Sequence, residues 1–115
     1  MAFSENELRK HETTLDAFLA KRRPPEHLRG EVDLDYRIQR QSIEILERRA
    51  AWNRPGEITE TPIAKTTYLR TQNKWKVYWQ RSDLKWHGYE PRPEVDSLSD
   101  FLNVVDADEY GCFWG

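Results

Sequence analysis

Between Asp33 and Arg48 two independent features of the sequence select the same strand register, and nothing else in the chain constrains the fold as tightly. Leu34, Tyr36 and Ile38 alternate with polar residues, and Ile43 and Ile45 do so after Arg40-Gln41. This is the period-two pattern of a half-buried strand. Placing Ile38 opposite Ile43 brings Tyr36 opposite Ile45 on one face. The same register brings Arg37 opposite Glu44, and Asp33 opposite Arg48, on the other face. Opposite charges directly across two strands contribute about 0.2–1 kcal/mol each. The spacing therefore predicts a hairpin over 34–49, with a turn that lacks glycine as its weak point.

A second hairpin is expected from Ile63 to about Arg81. A turn at Gln72-Asn73 would set Arg70 against Trp75, Tyr68 against Val77 and Thr66 against Trp79. Trp75, Val77, Trp79 and Tyr68 then form the core side, with Lys65, Thr67, Leu69, Lys76, Tyr78 and Gln80 on the reverse. Residues 52–62 read as a loop, with Asn53-Arg54-Pro55-Gly56 suited to a type II turn. Asp83 to Tyr89 is expected to add a fifth short strand before Glu90-Pro91-Arg92-Pro93.

Helical signals flank these strands. Ser4 and Glu7 form a capping box, Phe3 and Leu8 are placed for a hydrophobic staple, and Leu8, His11, Leu15, Phe18, Leu19 and Arg22 follow helical spacing. Lys21-Arg22-Arg23 suits the negative end of the helix dipole, and Pro24-Pro25 stops the helix. A second helix is expected to start at an N-cap Ser97, with Leu98, Phe101, Leu102 and Val105 as its apolar stripe. The fold expected is α+β, with two helices on one face of an antiparallel sheet of four to five strands. The 115 residues suit a single domain over 1–115, because either half alone would be too short to bury a core.

The formal net charge of −2 conceals an internal asymmetry. Residues 37–85 carry eleven Lys/Arg against five Asp/Glu, whereas residues 86–115 carry one against seven. A basic middle with an acidic tail fits either a nucleic-acid surface or a tail that neutralises the middle, and the low pI of 5.9 favours neutralisation. No apolar run approaches the ~20 residues that cross a bilayer, so no membrane association is expected. The lone Cys112 and an opening without basic or apolar leader character lead us to expect a cytoplasmic protein.

The order of motifs resembles an uncharacterised bacterial family, domain of unknown function 3024. The residues that carry the resemblance are Met1-Ala2-Phe3-Ser4-Glu5-Asn6-Glu7-Leu8, Lys21 to Pro25, Lys74 to Trp79, Lys85 to Pro91 and the ending Tyr110 to Gly115. The resemblance implies a stand-alone bacterial cytoplasmic protein. It brings no catalytic or binding role to any residue.

Possible chemistry is sparse. His87 and Glu90, three residues apart beside Trp86 and Tyr89, have the residue types of a general acid–base site, but they equally suit the end of a surface strand. Cys112 as a nucleophile has acidic neighbours, Asp106, Asp108 and Glu109, which oppose a thiolate. His11, His27 and His87 lack metal-ligand spacing, so no metal or other cofactor is expected. Asp33, Asp35, Glu44 and Glu47 offer carboxylates for a metal nuclease, but the cross-strand arginines already use them. Phosphate-loop, dinucleotide and nucleophile-elbow motifs are missing.

Three functional expectations remain. The first is a non-enzymatic interaction or assembly module, partnered by itself or by another protein and motivated by abundant Trp and Tyr. The second is nucleic-acid binding on the outer face of the 63–81 hairpin, with Lys65, Lys74, Lys76, Arg81 and Lys85 on phosphates and Tyr78 stacking on a base. An enzyme using His87 and Glu90 is the remote third. Tyr110, Phe113 and Trp114 are expected to tuck against the fold or a partner as a structural tail.

Overall fold

The computed structural model describes residues 2–51 and 53–114. Helix α1 (Glu5–Arg22) starts on the expected box: Glu7 N–H donates to Ser4 Oγ at 3.3 Å, and Ser4 N–H donates to Glu7 Oε1 at 2.9 Å. It ends where Arg23 turns extended ahead of Pro24. After a short 3-10 turn at Glu26–Leu28 come β1 (Val32–Gln39), β2 (Ser42–Ala50), β3 (Ile58–Leu69), β4 (Lys74–Gln80), β5 (Trp86–Gly88), β6 (Glu94–Val95) and α2 (Leu98–Ala107). The strands form one antiparallel sheet in the order β1-β2-β3-β4-β5, with β6 also pairing with β4. The architecture is α+β.

The β1–β2 register is the one the sequence selects, including Tyr36 opposite Ile45 and Arg37 opposite Glu44. Arg40 takes a positive φ of 58°, the strain expected of a tight hairpin without glycine. One ion pair is redirected. Asp33 faces Arg48 across the strands but receives Arg23, at 2.6 Å, while Arg48 reaches Asp35 and Glu60.

The β3–β4 register differs from expectation by two residues. Tyr68 faces Trp75, Thr66 faces Val77 and Ala64 faces Trp79. The connection is a four-residue loop, 70–73, in which Asn73 adopts φ 52°. A slip of two leaves every side chain on its expected face. Residues 58–62 are strand rather than loop, pairing with β2 up to a bulge at Ile63. The type II turn spans Arg54–Glu57, with Gly56 at φ 84° and Glu57 N–H donating to Arg54 C=O at 3.0 Å. The fifth strand is shorter than expected, and the two-residue β6 is additional.

Both helices cover one face. Leu15 from α1 and Leu98, Phe101, Leu102 and Val105 from α2 pack with Ile43, Ile45, Ala64, Trp75 and Val77. Buried Thr66 donates its hydroxyl to Lys76 C=O at 2.6 Å, so its polar atom is satisfied within that core. Leu19, Leu34 and Leu46 are buried outside this cluster. Ser97 caps α2, accepting from Asp100 N–H at 3.0 Å.

The C-terminal segment returns to the core. Asp108, in the left-handed conformation with φ 41°, accepts from Phe113 N–H at 3.1 Å and from Trp114 N–H at 2.9 Å. Phe113 is buried against Tyr89, and the Trp114 indole donates to Val105 C=O at 2.8 Å beneath the Arg22 guanidinium. Tyr110 departs from this pattern: it is 66% exposed. The chain reverses one residue later at Gly111, φ 66°, and leaves the Tyr110 ring outside.

Candidate functional site

The pairing registers order the uncovered face of the sheet into rows. One row runs Arg37, Glu44, Lys65, Tyr78, Gly88 from β1 to β5, and the next runs Gln39, Ser42, Thr67, Lys76, Glu94. Lys65 sits at the centre of this surface. Its Nζ lies 5.7 Å from the Tyr78 ring centroid and 5.8 Å from that of Trp86, so the ammonium is held between two aromatic rings. Glu44, its neighbour across the strands, is engaged by Arg37. Gly88 opposite Tyr78 has open space where a Cβ would stand, which leaves that end of the row free.

The six residues expected on a nucleic-acid surface do not share one surface. Lys65, Lys76 and Tyr78 lie on the uncovered face, and Lys85 is exposed just before Trp86. Lys74 is paired with Asp96, so its charge is already answered. Arg81 belongs elsewhere: its guanidinium lies 5.4 Å from the Trp79 ring, and Trp79 sits on the helix-bearing face. The basic middle is neutralised mostly by carboxylates outside the acidic tail. Arg37 pairs with Glu44, Arg48 with Asp35 and Glu60, Arg49 with Glu47, and Arg70 with Glu7. Lys74–Asp96 is the link from the middle to the acidic tail among these pairs. The Arg70 contact, together with the cap bond from Ser4, holds the Glu7 carboxyl down at about 2.

The outer edge of β1 and the part of β3 that β4 does not reach are obstructed. By alternation, the N–H groups of Leu34 and Tyr36 point away from β2 along the outer edge of β1. Each instead donates to the carboxylate one residue back, Leu34 to Asp33 and Tyr36 to Asp35, both at 2.8 Å. The stretch of β3 beyond the reach of β4 carries Pro62, which has no N–H to offer. Edges blocked in this way resist pairing with a further strand.

His87, Glu90 and Cys112, separated by up to 25 positions, line one cleft of about 500 Å³ with Trp79, Arg81, Gly88, Tyr89 and Pro91. His87 Nε2 donates to Asp83 Oδ2 at 2.9 Å, which fixes the imidazole. Its partner is thus Asp83 and not Glu90. Burial, reinforced by Asp108, pushes the half-buried Cys112 thiol up, which opposes a thiolate, and its Sγ lies 3.9 Å from Tyr110 C=O. Among the described residues no group of three His, Cys, Asp or Glu side chains is arranged to hold a metal ion. Also among these residues, no helix is long and apolar enough to cross a membrane.

Sequence reasoning missed Trp86 as the second ring beside Lys65, although its place opposite Gln80 follows once β5 is paired. It also missed the cleft, whose walls come from β4, β5 and the C-terminal segment. Comparison with known proteins gives one result. Neither a curated protein nor a solved structure matches the chain significantly. The model of the family described as "Domain of unknown function (DUF3024)" matches residues 3–115, nearly the full length, and the chain belongs to that family.

Proposed function

We propose that this chain is a non-enzymatic interaction module that self-associates through the uncovered face of its sheet. The observation that carries this reading is the pairing of an open face, centred on Lys65, Tyr78 and Trp86, with a β1 edge obstructed at Asp33 and Asp35 and a β3 end obstructed at Pro62. Face-to-face contact is then favoured over strand addition. The row containing Glu44 and Lys65 carries both signs of charge side by side. A second copy related by a two-fold axis can oppose like rows with complementary charges. Tyr and Trp at the centre are residue types enriched in such contacts. Sedimentation velocity tests this: a dimer is expected at tens of micromolar, and a monomer at that concentration overturns it.

A second reading, single-stranded nucleic-acid binding on the same face, is favoured by one observation. Lys65, Lys76 and Lys85 have no carboxylate partner among the described residues, and two rings lie beside Lys65. It requires fluorescence anisotropy to show binding of a labelled single-stranded oligonucleotide that weakens steeply with salt. No binding at low salt discards it.

A further inference from the structure

Along the seam between β2 and β3, every charged or hydroxyl-bearing pair on the uncovered face joins opposite or matching groups. Ser42 faces Thr67, Glu44 faces Lys65 and Arg48 faces Glu60. The Ser42 and Thr67 hydroxyls are 2.8 Å apart, and Arg48 Nε donates to Glu60 Oε2 at 2.7 Å. A two-fold axis lying between two facing sheets, parallel to the strands and over this seam, exchanges β2 for β3 and keeps each row in place. Each residue then meets its own cross-strand neighbour from the second copy, so complementarity along the seam becomes complementarity across the contact. Glu44 meets Lys65, Arg48 meets Glu60 and Ser42 meets Thr67, each twice. One strand further out, Arg37 on β1 meets Tyr78 on β4, and Gln39 meets Lys76.

Other placements of the axis bring like charges together or lose these pairs. Along β3 it sets Lys65 against its own copy, and along β2 it sets Glu44 against its own copy and Arg37 against Lys65. Between β3 and β4, Glu44 meets Gly88 and Lys65 meets Tyr78, so no carboxylate of that row reaches a cation. An axis across the strands sets each charge against its own copy when laid on a row, and against an uncharged residue when laid between the two rows. We infer that two copies of this chain associate about a two-fold axis over the β2–β3 seam, with Glu44 of each copy against Lys65 of the other. This geometry rests on the self-association already proposed and gives it one arrangement. The four charges at its centre alternate in sign. Arg37, exposed beside Glu44, meets the Tyr78 ring of the other copy as a cation over an aromatic face. Aligned packing of this kind keeps the two sets of strands within about 30° of one another.

The test is a charge exchange read by sedimentation velocity at a concentration where the wild type is dimeric, with one member of each mixture fluorescently labelled. Glu44→Lys and Lys65→Glu are each expected to weaken self-association at least about tenfold, because each sets like charges against one another twice. An equimolar mixture of the two variants is expected to restore the dimer, since both contacts then join opposite charges. Repulsion between positions 44 and 65 within one chain is unchanged by mixing, so restoration reports the contact between chains alone. Arg48→Glu with Glu60→Arg is a second, more exposed pair and is expected to behave in the same way. It decides the outcome if circular dichroism shows that a variant of the first pair does not fold. A wild type that dimerises while neither mixture associates more tightly than its separate variants overturns the axis and leaves the face reading standing. Variants that dimerise as tightly as the wild type do the same. A wild type that stays monomeric overturns both.

Discussion

The two faces of this sheet are built from strands of the same composition but are opposite in character. On the covered face the rows run Tyr36, Ile45, Ala64, Trp79 and Ile38, Ile43, Thr66, Val77, closed over by Leu15 and Phe101. On the uncovered face most positions carry a charge, a hydroxyl or a half-exposed ring, with Leu46 and Leu69 as apolar exceptions, and the contacts include ion pairs and the 2.8 Å Ser42–Thr67 hydroxyl bond. The covered face holds the fold by removing apolar area from water, at about 25 cal/mol per Å². The other face contributes little to stability, because exposed ion pairs are worth about 0–1 kcal/mol. That difference frees the uncovered face to carry a contact surface.

The comparison breaks most visibly at the core. Phe101→Ala removes a fully buried ring at the centre of the covered face and is expected to cost about 3–5 kcal/mol in urea or thermal unfolding. Next is the C-terminal anchor. Asp108→Ala leaves the Phe113 and Trp114 N–H groups without their acceptor and is expected to cost about 1–3 kcal/mol, with Cys112 alkylated faster as the segment loosens.

A smaller effect is expected at His11, which packs edge-on against Phe3 and Trp75. Burial pushes this imidazole below its ordinary value, opposed by Glu7 and assisted by Lys10. The unfolded chain then binds the proton more readily than the folded one. The stability contribution is full above about pH 6.5 and declines as pH falls below it. The Tm of the wild type is expected to drop over that interval, with a shallower slope in His11→Phe. Glu7, lowered from 4.5 to about 2, keeps its full contribution above about pH 4.5, so the comparison is made above that pH. Smallest of all is the uncovered face: Lys65→Gln and Lys76→Gln should each alter stability by no more than about 0.5 kcal/mol while weakening self-association in sedimentation.

The sequence reveals the faces more readily than the registers. For β1–β2 two constraints coincide, the apolar alternation and the Arg37–Glu44 pairing, and the register is fully legible. For β3–β4 only the alternation operates, and alternation is blind to a slip of two; the four-residue loop with Asn73 at positive φ decides the outcome. The strand at Ile58–Pro62 is polar on both sides and interrupted by a proline, so no periodic signal marks it. Lys65 and Tyr78 are assigned to the outer face by period alone. Arg81, two residues past Trp79, keeps the face of Trp79 that alternation gives it and not the outer face expected of it, and the cleft it lines is closed by Cys112 from the far end of the chain.

The claim that the uncovered face is the contact surface is tested most directly by recording amide spectra of the labelled protein across a dilution series from the submillimolar to the low micromolar range. The account predicts that the resonances that move with concentration are those of Glu44, Lys65, Thr67, Lys76, Tyr78 and Trp86, with α1 and α2 unchanged. Concentration-dependent shifts confined to the helices or to the β1 edge, or no shifts at all, would contradict it.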